Sequence, residues 1–192
     1  LQSVRQCNLK LGESCVVIGL GILGQLTSML LKASGVKVIG IDINKISVDF
    51  ALKNNSIDFG FVRDSISIEE KIFELTNGHG ADGVIIAAGT KSNDPINLAG
   101  SVCRKKGTVV ILGAVSTDFD RDPHWYRKEL ELKMACSYGP GRYDINYEEN
   151  GMDYPYGYVR WTENRNMQAF QELICKSFFD LSFITTHTFK LK

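Results

Sequence analysis

Residues Ser14 to Gly24 read Ser-Cys-Val-Val-Ile-Gly-Leu-Gly-Ile-Leu-Gly, a short apolar run ending in glycines spaced G-x-G-x-x-G. An amphipathic stretch follows at once, with Leu26, Met29, Leu30 and Ala33 near helical spacing. Strand, tight turn and helix in this order constrain the chain more than any other feature. Each glycine answers a different steric demand. Gly19 permits the sharp turn off the strand, Gly21 lets an anionic group approach the backbone, and Gly24 lets the helix pack close to the strand. The helix start offers unpaired N–H groups, those of Ile22 and Leu23 foremost, and a partial positive charge that suits a diphosphate.

A second apolar run, Val36 to Ile41, ends at Asp42. That carboxylate falls about 20 residues past the glycines, where a dinucleotide fold places the acid that accepts from the adenosine ribose. The plainer alternative is a glycine turn in an ordinary α/β domain with Asp42 capping the next helix. Strand, turn, helix and acid in one register favour the dinucleotide reading.

The rest of the chain alternates in kind. Leu1 to Leu11 reads as the end of a helix with Val4, Cys7 and Leu11 on one face, and its abrupt start suggests a piece of a longer polypeptide. A helix is expected from about Lys45 to Asn54, with Ile46, Phe50 and Ala51 inward and Asp42 or Asn44 as its cap. Asp58 to Val62 reads as a third strand. Ser67-Ile68-Glu69-Glu70 matches a capping box opening a helix that carries Ile68, Ile72, Phe73 and Leu75. Asp82 to Gly89 is a fourth strand, apolar throughout as a strand covered on both faces should be. Asp94-Pro95 starts a helix with an acid at the cap and proline in the first turn, and Gly107 ends that stretch. Thr108 to Ala114 is a fifth strand and Leu130 to Ser137 a sixth. The expected fold is α/β: a Rossmann doubly wound parallel sheet, strand order 3-2-1-4-5-6, with helices on both faces. A ligand then belongs at the carboxyl ends of strands one and four, where Gly19 to Gly24, Asp42, Ala88, Gly89, Gly113 and Ala114 fall.

From Tyr138 to Trp161 the sequence turns rich in tyrosine, glycine, proline and acids without a period. A loop of this length is often functional. Either its rings cover a sheet edge, or Tyr138, Arg142 and Tyr143 contact a substrate. Thr162 caps a helix whose inward face is Met167, Phe170, Leu173 and Ile174, and Phe183 to Leu191 reads as a strand without a partner.

Lys plus Arg and Asp plus Glu both number 22, and the basic residues are scattered, which argues against a nucleic-acid surface. No apolar run reaches about 18 residues, so no membrane span is expected. The five cysteines include no C-x-x-C and read as small buried hydrophobes in a reducing, cytoplasmic setting. His79, His124 and His187 lack metal-ligand spacing.

Gly19 to Asp42 with Ile43-Asn44-Lys45, Gly107 to Gly113, and Lys128 to Leu132 together resemble the cofactor domain of zinc-type (medium-chain) alcohol dehydrogenases. Asp180 to His187 resembles the point where that family returns to its catalytic domain, so the resemblance covers nearly the whole chain. Tyr138 to Asn166 looks closer still to bacterial two-part oxidoreductases in which a glucose–fructose-oxidoreductase-like half follows. The resemblance implies a cofactor-binding set of Gly19, Gly21, Ile22, Leu23, Asp42, Ile43, Lys45, Ala88, Gly89, Gly113 and Ala114. It implies hydride transfer with NAD in preference to NADP, because a 2′-phosphate would meet the Asp42 carboxylate. No arginine follows Asp42 in sequence, Lys45 is read as the only nearby cation, and Ser47 stands where the family often carries a second lysine. Catalytic residues, and any zinc, are expected in a separate domain outside this chain, with no metal bound here. The implied partners are a small-molecule alcohol or sugar-like substrate and a second copy of the chain through the sheet edge. The layout is then a dinucleotide-binding core over 1–137, a Tyr/Gly-rich insertion over 138–161, a closing helix over 162–178, and from 179 to 192 the start of the return to the catalytic domain.

Two further functions fit a glycine turn followed by an acid. A regulatory NAD-sensing module needs only binding. A nucleoside-cofactor methyltransferase is disfavoured by Gly24 and by the absence of a methyl-transfer motif.

Overall fold

The computed structural model describes residues 1–64, 67–178 and 180–190. Helix α1 (Gln2–Cys7) leads into β1 (Ser14–Ile18), α2 (Ile22–Ala33), β2 (Lys37–Asp42), α3 (Lys45–Lys53) and β3 (Phe59–Val62). Then come α4 (Ile68–Leu75), β4 (Ala81–Ile86), α5 (Asp94–Val102), β5 (Cys103–Ile111), the single turn α6 (Tyr126–Lys128) and β6 (Glu131–Met134). All strand pairs are parallel, in the order β3-β2-β1-β4-β5-β6. This is the doubly wound arrangement expected from the alternation of elements and right-handed crossovers.

The core is divided by the pleat. Val16, Ile18, Ile39, Ile41, Val84, Ile86, Val109 and Ile111 face Ile68, Ile72, Ile96 and Leu98 on one side. Cys15, Val17, Val38, Ile85 and Val110 face Leu31, Val48 and Ala51 on the other. Successive residues of a strand point to opposite faces, so a strand buried on both must be apolar at every position. Each fully buried isoleucine, Ile39 and Ile85 among them, contributes about 1.5–3 kcal/mol.

Several local expectations give way to tertiary packing. Leu11 is 83% exposed, beyond the end of α1. On α2 the buried residues are Gly24, Gln25, Thr27, Ser28 and Met29 to Leu31, whereas Ala33 is exposed. Ala51 points inward as expected, but Ile46 is 76% exposed and Phe50 is also exposed; Val48 takes the inward place, and Ile57 from the loop after α3 packs in the same cluster. Asn44 caps α3, its side chain accepting from the Ile46 amide at 2.9 Å. Ser67 adopts a left-handed conformation (φ 64°) and makes no side-chain cap bond, so the capping box does not form. Asn93 precedes α5 at the cap position and Asp94 is its first helical residue. Gly107 lies inside β5, beside Lys106 at φ 57°, where the register with β4 shifts. The strand therefore begins four residues before the glycine read as a helix end.

The chain divides into two compact units, Leu1–Ser137 and Tyr138–Lys192. The second holds α7 (Ile145–Glu148) and α8 (Glu163–Cys175). Thr162 caps α8, accepting from the Arg165 amide. Met167 and Ile174 are exposed on it, Phe170 and Leu173 half-buried, and the buried positions are Glu163 and Asn166. Asn166 donates to the Tyr138 carbonyl at 2.8 Å. The tyrosine-rich segment is ordered from within: Tyr147 stacks on Tyr154, whose hydroxyl donates to Asp144, and Arg142 pairs with Glu148. Residues 183–190 contain no strand, only a short turn at Ser182–Ile184; Leu191, the end of the expected strand, lies outside the described residues.

Candidate functional site

The carboxyl end of β1 turns at Gly19, whose φ of 95° is costly for any residue with a side chain. A Cβ there would lie 2.6 Å from the Ala88 amide nitrogen, and one on Gly24 would lie 1.9 Å from the Gly19 carbonyl oxygen. These two glycines let the strand end, the helix start and the end of β4 come together. Gly21 differs: nothing lies within 4 Å of where its Cβ would stand. It occupies the N-cap of α2 with extended backbone and no side-chain cap bond, at the head of a twelve-residue helix whose first residues, Ile22 and Leu23, are exposed. Leu20 between them is 2% exposed and anchors the turn in the core.

Asp42 closes the neighbouring end of β2. One carboxylate oxygen accepts from the Leu20 amide at 2.6 Å, the other from the Asn44 amide at 2.8 Å. These bonds orient the carboxylate toward the glycine turn while leaving lone pairs free for hydroxyl donors. Gly19, Asp42, Ile43, Ala88 and Gly89 all line one cleft of about 290 Å³. It sits beside the point where the strand order reverses, and it is near the small end of ligand clefts. Ile18 and Ile41 supply apolar wall, and Thr90, Ser92 and Pro95 the far side.

Arg63 and Asp94 also line this cleft, and neither was singled out as a site residue from the sequence. Arg63 follows β3 directly, its amide donating to the Asp42 carbonyl at 2.9 Å. The pairing of Asp42 with Val62 across β2 and β3 fixes that proximity. The one available signal was the position of Arg63 immediately after a strand that neighbours the Asp42 strand. Lys45 is therefore not the only nearby cation. It lies outside the cleft lining, pairs with Asp49 at 2.5 Å, and is largely exposed. Gly113 and Ala114 continue from β5, tied to the end of β4 by Gly113 N–H donating to Ile86 and Thr90 N–H donating to Ala114, both at 2.9 Å. They share the carboxyl edge of the sheet without lining the cleft.

Among the described residues no group of His, Cys, Asp or Glu is arranged to hold a metal ion. No helix among them is long and apolar enough to cross a membrane. All five cysteines are free; Cys7, Cys15 and Cys103 are buried as expected, whereas Cys136 and Cys175 are exposed.

The family model of zinc-binding dehydrogenases matches residues 23–150. The chain is 27% identical over 184 residues to D-guloside 3-dehydrogenase of Escherichia coli, covering 93% of this chain and 47% of that protein. It is 31% identical over 188 residues to a probable D-xylulose reductase A of Aspergillus clavatus, covering 88% of this chain and 49% of the relative. Its fold is similar to 2R,3R-butanediol dehydrogenase of Bacillus subtilis, with a TM-score of 0.72, 20% identity, and coverage of 96% of this chain and 46% of that one. The chain thus spans about half the length of the curated relatives it matches. The glycine turn, the carboxylate that follows it and the sheet order agree with the sequence match, and the chain belongs to the zinc-binding dehydrogenase family, where it forms part of the cofactor-binding domain.

Proposed function

We propose that this chain is the cofactor-binding half of an NAD-dependent oxidoreductase acting on the CH–OH group of a small alcohol or sugar-like substrate. The observation that carries this reading is the pairing of an uncapped, open helix start at Gly21 with a carboxylate fastened 2.6 Å from the adjoining Leu20 amide. A side chain at Gly21 would fill the space a diphosphate needs, and none is present. The amides of Ile22 and Leu23 then hold the diphosphate, and Asp42 accepts from the adenosine ribose hydroxyls. Ile43, Ala88 and Gly89 flank the adenosine, and Gly113 and Ala114 lie toward the nicotinamide. The bound cofactor supplies hydride transfer; these residues supply binding and orientation. The proton relay and any zinc reside in the part of the enzyme that this half does not span.

NAD is preferred over NADP because the nearest charge to the ribose is a carboxylate, while Lys45 and Arg63 are each held by an acid. The substrate class rests on relatives named for a guloside, a xylulose and a butanediol. Unpaired thiols fit a reducing, cytoplasmic setting. The exposed Leu132 and Met134 on edge strand β6 support a homodimer through that edge.

Isothermal calorimetry of the chain with NAD and with NADP tests the reading. Tighter binding of NAD is expected. Binding of neither removes the oxidoreductase assignment, and tighter NADP binding removes the cofactor preference alone.

A further inference from the structure

The Arg63 side chain is gripped at two points. Its Nε donates to Asp94 Oδ2 at 2.9 Å and its Nη2 to Asp94 Oδ1 at 2.7 Å. Its Nη1 stands 4.0 Å from Glu69 Oε1. The guanidinium side chain is 26% exposed, so the pair is only partly screened. Arg63 and Asp94 form a shared wall, lining the cleft that holds Asp42 and also a second cavity of about 270 Å³ with Asn97, Asp120 and His124.

A guanidinium is the side chain best matched to a phosphate dianion, because its fork donates two parallel hydrogen bonds. One stands here directly after β3, the strand beside the one that ends in the ribose-binding carboxylate, with its own backbone bonded to that residue. Sequence order hid it, since Arg63 comes 21 positions after Asp42. Its fork is already spent on Asp94. Asp94 and Glu69 both face this guanidinium, so its charge is matched by carboxylates of the protein itself.

We infer that Asp94 is a specificity-determining residue: by holding Arg63 in a two-point ion pair, it denies that guanidinium to a 2′-phosphate and secures the choice of NAD over NADP. This rests on the NAD-binding reading above. Cofactor choice is thereby shared between Asp42, which repels the extra phosphate, and Asp94, which withholds its natural receptor. The pair also ties the end of β3 to the start of α5. A tie alone would weaken both cofactors equally when cut.

The test is calorimetric titration of the chain and its D94N, D94S and R63A/D94N variants with NAD and with NADP, with folding checked by circular dichroism. Asn and Ser are both suited to a helix start, so at least one variant should keep the fold. In D94N the NADP-to-NAD affinity ratio is expected to rise by about tenfold, the scale of one charge-assisted phosphate contact. Removing Arg63 in the same background should abolish that gain. An unchanged ratio in the folded Asp94 variants, or a gain that survives without Arg63, overturns the inference while leaving NAD binding intact. Failure of the unsubstituted chain to bind either dinucleotide overturns the NAD-binding reading, and this inference with it.

Discussion

The Leu20 amide donates to the Asp42 carboxylate at 2.6 Å, across the gap between the end of β1 and the end of β2. The bond joins the two halves of the proposed site, the glycine turn and the ribose acid. Asp42→Ala should therefore lose both orientation and charge. NAD affinity is expected to fall by at least tenfold, since one hydrogen bond to a charged group is worth about 1.5–3 kcal/mol. Asp42→Asn keeps an oxygen for the Leu20 amide and should narrow the gap between NAD and NADP. Calorimetry on both variants checks this, and undiminished NAD binding by Asp42→Ala would remove the residue from the site.

The glycines separate folding from binding. At Gly24 a methyl group would meet the Gly19 carbonyl oxygen at 1.9 Å, so Gly24→Ala should destabilise the fold by about 1–3 kcal/mol or more. At Gly21 the same methyl group meets nothing within 4 Å and the backbone is extended. Gly21→Ala should change stability by less than about 1 kcal/mol yet weaken dinucleotide binding. Urea unfolding combined with titration resolves the two effects. A Gly21→Ala chain that binds NAD as tightly as the parent would place the diphosphate elsewhere.

What the sequence made legible was local. Gly19 to Gly24 and Asp42 sit within one strand–turn–helix–strand unit, so their spacing carries their geometry, and the handedness of crossovers supplies the sheet order. What it hid was pairing at a distance. Arg63 and Asp94 lie 31 positions apart and meet only because β3 ends and α5 begins on the same edge of the sheet. Ile46 and Phe50 fit a helical period, but Ile57 shares the core with Val48 and Ala51, a packing choice no window of α3 reveals. Phe183 to Phe189 has strand-like composition, yet a strand needs a neighbour to pair with, and local pattern cannot show whether one is there.

Asp82 should make stability depend on acid. Burial opposes its ionisation, but hydrogen bonds from the Ser14 amide (2.8 Å) and from Arg104 (2.7 Å) outweigh that and hold its carboxyl below the ordinary value. A folded-state pKa below the unfolded one contributes stability above the ordinary carboxylate range, and that stability is lost as pH falls through the folded value. Asp82→Asn is expected to be about 1–2 kcal/mol less stable at neutral pH, with solvent screening keeping the figure modest. The deficit should shrink as the parent is acidified below its carboxylate range. Urea titrations across that range decide it, and a deficit that stays constant with pH would show that charge plays no part.

Thiol labelling reads the core directly. Cys15 and Cys103 are 0% exposed and Cys7 is 3% exposed, whereas Cys136 and Cys175 are exposed. The thiolate is the reacting form, and burial pushes the Cys103 thiol up to about 12 and raises Cys15 as well. In the native chain Cys136 and Cys175 should react promptly with a neutral disulfide reagent, and the other three only when the sheet opens. Cys15 lies on β1, a central strand directly before the glycine turn, so its labelling reports an opening that also dismantles the proposed diphosphate site. A dinucleotide that binds only the folded form must lower the population of that opening. NAD should therefore slow Cys15 labelling and leave Cys175 unaffected. Equal rates at Cys15 with and without saturating NAD would mean that the ligand does not engage the β1 turn.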